Sequence, residues 1–293
     1  MKRYNNYYYK IVDILIDIRI PYKIIIKKES ENFIKKNEKY KDVLIQFKEI
    51  DFPIKVNGNI VFKDFVKIYK MRSKFIHEFC LNTKPYAWLI PIDKHRYEYK
   101  YLKGKEKYAK YSMNILKIIN IEQILNKFDA FILHCSFIKY KNKAILFSAP
   151  SGTGKSTQAD LWSKYENAEI INGDRAGLRK IDDKWLAYGL PFAGSSNIFK
   201  NKKAPISHII VLRQGKENKL TRLSPREAFI KIYSETTVHT WDKEFQENIV
   251  NMITDLVQKI PVYQYECLPD KSAVDYLKKK IEEDINEAEI SRA

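Results

Sequence analysis

Nineteen consecutive residues, AILFSAPSGTGKSTQADLW from Ala144 to Trp162, constrain this chain more than any other stretch. They begin with the apolar run Ala144-Ile145-Leu146-Phe147, the signature of a buried strand. A loop of small residues follows, Ser148-Ala149-Pro150-Ser151-Gly152-Thr153-Gly154. Lys155, Ser156 and Thr157 then open a helical pattern whose apolar residues are Ala159, Leu161 and Trp162. Strand, small-residue loop and helix is the order a phosphate-binding loop requires. The loop needs little side-chain bulk so that several backbone N–H groups can turn inward on phosphate oxygens. The helix start adds unpaired N–H groups and the positive end of its dipole. The motif departs from G-x-x-x-x-G-K-[ST] at one position, where Ala149 replaces the first Gly. The expected nucleotide-binding residues are Ala149, Pro150, Ser151, Gly152, Thr153, Gly154, Lys155, Ser156 and Thr157, with Lys155 on the β- and γ-phosphates and Ser156 on Mg²⁺.

Two further segments are expected beside this loop. Ala168-Glu169-Ile170-Ile171-Asn172-Gly173-Asp174-Arg175 reads as an apolar strand ending in an acid, the Walker B arrangement. Asp174 is the expected acid for Mg²⁺ or for the acceptor's proton, and Arg175 either meets phosphate or anchors the loop. Upstream, residues 130–139 read as a strand that turns back through Tyr140-Lys141-Asn142-Lys143. If 139 pairs with 144, then 134 falls opposite 149, at the mouth of the phosphate loop. His134 is therefore either a core histidine or an acid–base group. The small polar loop Gly189–Asn197, with Lys200, Lys202 and Lys203 after it, is expected to be a lid or an acceptor loop.

At 293 residues the chain is long enough for one large domain or two modest ones. Cys80, Cys135 and Cys267 are odd in number, far apart and without metal-binding spacing, so buried reduced thiols are expected. Asp13, Asp17 and Arg19 interrupt the first apolar residues, which argues against a signal peptide, and no stretch is long enough for a membrane span. The cytoplasm is the expected location. The net charge of +17 is concentrated in residues 1–127, with 28 Lys and Arg against 14 Asp and Glu. Such a surface suits an acidic partner, although an AT-rich genome also enriches Lys, and no nucleic-acid-binding motif accompanies it.

Residues 1–125 read as a β-rich region and 126–293 as the nucleotide domain. In the first, a turn is expected at Pro21 between two strands and a hairpin turn at Asn57-Gly58. Residues 112–127 have helical spacing, with Ser112 as the expected N-cap. Near the end, Ser224-Pro225-Arg226-Glu227 forms a capping box ahead of a helix.

A His 21 positions before the loop Lys, the S-G-x-G-K-S loop and a strand with an Asp-containing turn resemble HPr kinase/phosphorylase, and more broadly the phosphoenolpyruvate carboxykinase-like P-loop kinases. The resemblance covers roughly residues 128–270 and is closer still to small peptide-serine kinases of that group. It implies an α/β fold: a phosphoenolpyruvate carboxykinase-like P-loop nucleotide-binding core with a mixed sheet, preceded here by the β-rich region. It also implies an ATP- and Mg²⁺-dependent kinase acting on a hydroxyl, most simply a Ser or Thr of a peptide or small protein. A small-metabolite kinase or a slow ATPase switch are the alternatives. Lys155, Asp174 and His134 are the expected catalytic residues, with Asp174 or His134 as base, and Ser156 and Asp174 are the expected metal ligands. The family's second acid is replaced by Gly173, and the Glu and Arg of its E-I-R-G-L-G segment are absent from Leu186–Pro191. This implies that ATP-dependent transfer remains and phosphorylase activity does not. The basic N-terminal region, residues 94–110 in particular, is expected to dock the acceptor.

Overall fold

The computed structural model describes residues 3–36, 38, 40–194 and 196–290. Ser195 of the expected lid loop lies outside them. The fold is mixed α/β and divides into two compact units, Met1–Phe128 with Thr240–Asp242, and Asp129–His239 with Lys243–Ala293. Among the described residues no helix is long and apolar enough to cross a membrane.

The first unit is built on one sheet of nine strands: β1 (Asn5–Ile11), β2 (Ile14–Ile20), β3 (Ile34–Lys35), β4 (Val43–Ile50), β5 (Asn59–Lys63), β6 (Val66–Met71), β7 (Lys74–Leu81), β8 (Lys84–Pro91) and β9 (Arg96–Leu102). Their order is β3-β1-β2-β4-β9-β8-β7-β6-β5. Alternation decides which face is covered: Ile14, Ile16, Ile18 and Ile20 are all fully buried. Two expected turns are displaced. The first hairpin turns at Val12-Asp13, whose φ values of 54° and 57° suit a two-residue turn, and Pro21 only follows the end of β2. The second turns at Asp64-Phe65, between β5 and β6. Gly58 instead precedes β5 where a side chain would collide with the Met71 side chain and the Lys70 carbonyl. The expected helix over 112–127 is two short ones, α1 (Ser112–Ile118) and α2 (Ile121–Asn126), broken where Asn120 takes φ 52°. Ser112 is the first helical residue rather than the N-cap, which is Tyr111 without a side-chain bond.

The second unit contains β10 (Ala130–Tyr140), β11 (Lys143–Ser148), α3 (Lys155–Glu166), β12 (Glu169–Asn172), β13 (Arg175–Ile181), β14 (Lys184–Tyr188), β15 (Lys203–Gln214) and β16 (Lys219–Arg222), then α4 (Pro225–Ser234), α5 (Lys243–Lys259), β17 (Val262–Cys267) and α6 (Lys271–Ile290). Strands β11, β15 and β17 run parallel, with β15 in the middle. Both faces of β11 are covered, as its unbroken apolar run requires. Leu146 packs with Ile232 of α4 and Ile249 and Ile253 of α5. Ile145 and Phe147 pack on the other face with Trp162 of α3 and Leu277 of α6. Strand α-carbon register then places the site. Lys139 pairs with Ala144 and Cys135 with Ser148, so His134 stands opposite Ala149. On its other side β10 pairs with both β12 and β13, Phe137 with Asn172 and His134 with Arg175. The register therefore continues through Gly173-Asp174. The apolar strand β12 ends at Asn172, as its sequence suggests, and Asp174 follows in a two-residue kink that leads into β13.

Helix α3 carries few apolar residues and is secured mainly by Trp162, which is fully buried and meets the Tyr140 ring edge-on at 5.2 Å. Truncating so large a buried ring costs about 3–5 kcal/mol. The capping box at α4 forms in full: the Ser224 hydroxyl accepts from the Glu227 N–H, and the Glu227 carboxylate accepts from the Ser224 N–H.

Candidate functional site

The loop after β11 owes its shape to two glycines. Gly152 has φ +80° and Gly154 φ +111°, a region costly for residues with a Cβ. No neighbour lies within 4 Å of a Cβ built at either position, so the requirement is conformational and not one of space. Gly154 is also the N-cap of α3 and has no side chain to cap it. The first N–H groups of α3 thus face the loop's interior uncapped by a side chain. Lys155 is the first residue of α3. Its ammonium donates to the Ala149 carbonyl at 2.6 Å and the Pro150 carbonyl at 3.0 Å. Burial lowers its pKa, and the negative charges of Glu235 and then Asp174 oppose that shift.

Across from the loop, the kink is held by one side chain. Asn172 is fully buried. Its Oδ1 accepts from the N–H of Asp174 at 3.0 Å and of Arg175 at 2.9 Å. Its Nδ2 donates to the Phe192 carbonyl at 2.9 Å and the Leu190 carbonyl at 3.4 Å. One amide thus binds the kink to the loop that follows β14. That loop closes on the kink: a Cβ on Gly194 would lie 2.8 Å from the Asp174 carboxyl carbon, and one on Gly173 would strike the Ser196 side chain.

Asp174 presents its two oxygens to different partners. Oδ2 accepts from Arg175 Nε at 3.1 Å. Oδ1 lies 3.6 Å from His134 Nε2, too far for a hydrogen bond. His134 Nδ1 is 2.9 Å from Glu235 Oε2. An ionised carboxylate only accepts, so Nδ1 carries the proton in this pair and Nε2 is the nitrogen turned to Asp174. The His134 backbone N–H also donates to the Glu235 carbonyl at 2.9 Å, so the two residues are tied twice. Glu235 is the C-cap residue of α4. Cys135, within reach of the Lys155 and Asp174 charges, has a fully buried thiol whose pKa burial pushes far up, which disfavours the nucleophilic thiolate.

A cavity of about 300 Å³ is lined by both halves: Ser151, Gly152, Gly154, Lys155, Ser156 and Thr157 from the loop and α3, and His134, Gly173, Asp174 and Ser196 from the other side. Of the expected nucleotide-binding residues, Ala149, Pro150, Thr153 and Arg175 are outside this lining. Ala149 is buried, Thr153 Oγ1 donates to the Pro150 carbonyl, and Arg175 Nε donates to the Asp174 carboxylate. The three lysines that follow the expected lid loop do not line the cavity. Lys200 and Lys202 both bind Glu169, at 2.9 and 2.7 Å. Glu169 is at the start of β12 and does not line the cavity. The Lys203 ammonium lies over the Tyr188 ring.

Sequence reasoning missed Glu235 and Asn172. Glu235 is 101 residues from its histidine and belongs to no motif. Asn172 carried a signal that was read otherwise: an Asn before Gly-Asp marks a turn, and the same hydrogen bonds here hold a kink.

The chain matches no protein-family model and no curated protein. Among solved structures it is similar to the HPr(Ser) kinase/phosphatase from Coxiella burnetii, at 9% identity over 54% of this chain and 97% of that one, with a TM-score of 0.29. The likeness is weak.

Proposed function

We propose that this chain is a phosphotransferase with a phosphoenolpyruvate carboxykinase-like P-loop core, moving the γ-phosphoryl group of ATP to a hydroxyl of a peptide or small protein. The observation that carries this reading is that a glycine loop with a buried lysine lines one cavity with Asp174 and His134, and that His134 is backed from behind that lining by Glu235. The residues fit a nucleotide and Mg²⁺: positive-φ glycines shape the cradle, and Ser156 and Asp174 offer hard oxygens on the same cavity. Mg²⁺ held there would neutralise phosphate charge. The loop N–H groups and the Lys155 ammonium stabilise charge on the transferred group, where most of the catalysis of phosphoryl transfer resides. Glu235 holds the proton of His134 on Nδ1, which leaves Nε2 to accept the acceptor's hydroxyl proton. As that proton leaves, the hydroxyl oxygen bonds to the γ-phosphorus, the bond to the bridging oxygen breaks, and ADP departs.

The test is transfer from γ-labelled ATP with Mg²⁺ into a size-fractionated extract of the source cells, with Lys155→Ala as control. Label in a peptide or protein fraction is the expected result and identifies the acceptor by mass. Label confined to small molecules replaces this reading with a metabolite kinase. Free phosphate alone, equal with and without extract, replaces it with a slow ATPase switch.

A further inference from the structure

The first unit has a corner that its own packing leaves uncovered. Within residues 52–71 five large apolar side chains are exposed: Phe52 by 82%, Ile60 by 50%, Val61 by 37%, Phe65 by 78% and Met71 by 36%. Their centre is β5, the last strand of the sheet, which pairs with β6 on one side and with no described strand on the other. The pairing slips between Ile60 and Phe62. Phe62 packs with Val66, Ile68 and Phe75, and Ile60 and Val61 remain outside. An open edge offers unpaired backbone N–H and C=O groups to any extended chain.

Charge selects among the chains that could take this edge. Residues 51–74 hold six Lys and Arg against two Asp. Lys67 is committed to Glu78, and Lys74 donates to the Ile92 carbonyl. Lys55, Lys63, Lys70 and Arg72 are exposed around the apolar residues. Edge lysines repel a second copy, whose equally basic edge would come within one strand spacing, about 4.8 Å. They attract an acidic strand, which neutralises them while its apolar residues cover Ile60 and Val61. The stretch 94–110, where docking is expected from charge alone, offers no open edge: its strand β9 is paired with β4 on one side and β8 on the other.

The geometry points to the outer edge of β5 as the docking site for an extended acidic segment of the phosphate acceptor, carrying apolar residues at alternate positions. This rests on the reading of the chain as a kinase of peptides or small proteins. The experiment follows binding separately from transfer. The full chain is titrated against a fluorescein-labelled peptide of alternating Glu and Val, about eight residues long to match an ordinary strand. A Lys–Val peptide and a single-stranded oligothymidine are the controls, and fluorescence anisotropy is the readout. The Glu–Val peptide is expected to bind saturably and the Lys–Val peptide not to bind. Affinity is expected to fall about tenfold in Lys55→Glu/Lys63→Glu and in Ile60→Asp, all surface changes checked by circular dichroism. Unchanged affinity in both variants, or equal binding of the Lys–Val peptide, overturns the proposal. Preferred binding of oligothymidine reassigns the edge to nucleic acid, and a dimer in analytical ultracentrifugation that Ile60→Asp dissolves reassigns it to a second copy. With the acceptor identified, a raised KM at unchanged kcat in the edge variants supports docking. An unchanged KM removes docking and leaves the kinase intact, whereas absent transfer with intact peptide binding removes the kinase and leaves the edge as a peptide site.

Discussion

The glycine loop and the Gly173-Asp174 kink are both places where a strand of the second unit loses its regular pairing, and they resolve that loss in opposite ways. In the loop, Gly152 and Gly154 turn the backbone so that N–H groups at the start of α3 are left without a side-chain cap. At the kink, the N–H groups of Asp174 and Arg175 are both taken by Asn172, and the N–H of Gly173 donates to the Ile198 carbonyl at 3.2 Å. The first leaves these donors without a side-chain partner. The second spends them on rigidity, so that a carboxylate is aimed across the cavity with little freedom. An open turn and a braced one are thus built from similar residues, and the destination of the backbone hydrogen bonds tells them apart.

Four measurements test this contrast, beginning with the largest effect. Lys155→Ala removes the cation at the loop, and transfer from labelled ATP is expected to fall by at least about 10²–10³-fold. Retention of most of the rate would remove the loop from the chemistry. Asn172→Ala leaves two backbone donors and two carbonyls of a buried cluster unsatisfied and is expected to cost about 2–4 kcal/mol, read as a lower denaturant midpoint. Its transfer rate should fall more than its nucleotide affinity, measured with a fluorescent ATP analogue. A fall in affinity alone would make the kink a binding element too.

Paired glycine substitutions sharpen the comparison. Gly154→Ala places a side chain at φ +111° and should cost about 1–2 kcal/mol, expressed as weaker nucleotide binding. Gly194→Ala puts a methyl group against the Asp174 carboxylate and should leave affinity unchanged while lowering transfer. Identical profiles for the two variants would erase the distinction. The smallest effect is expected at Cys135. Burial disfavours its thiolate, so the folded-state pKa is raised and the thiol stays protonated through neutral and mildly alkaline pH. A thiol reagent at pH 8 is expected to leave it unmodified until urea unfolds the chain.

What the sequence discloses here follows from the range of the interactions. The pairing of 139 with 144 is legible because a short turn at Lys141-Asn142 fixes the register of the strands it joins. The capping box of α4 is legible because all its parts lie within four residues. The Asn57-Gly58 misreading arises because Asn-Gly is equally good wherever the backbone must come close to a neighbour, and Met71, which decides the case, is thirteen residues on. The break at Asn120 is hidden because the apolar spacing of 112–127 persists across one left-handed residue. Glu235 and the Glu169 pairing of Lys200 and Lys202 depend on contacts between distant strands and helices, where charge alone says nothing about the partner.

The insertion of Thr240–Asp242 into the first unit bears on the order in which the protein is made. The Trp241 ring lies 4.7 Å from that of Phe62, tilted by 40°, beside the cluster of Val66, Ile68 and Phe75, and Asp242 accepts from Gln123 Nε2 at 3.0 Å. A ribosome translating at a few residues per second reaches these partners only after residues 129–239 have emerged. The β-rich unit precedes the second unit along the chain yet is completed only after most of it. A nascent chain paused at Phe128 holds the Phe62 cluster without its tryptophan, a surface for chaperones to cover until the second half of the polypeptide arrives.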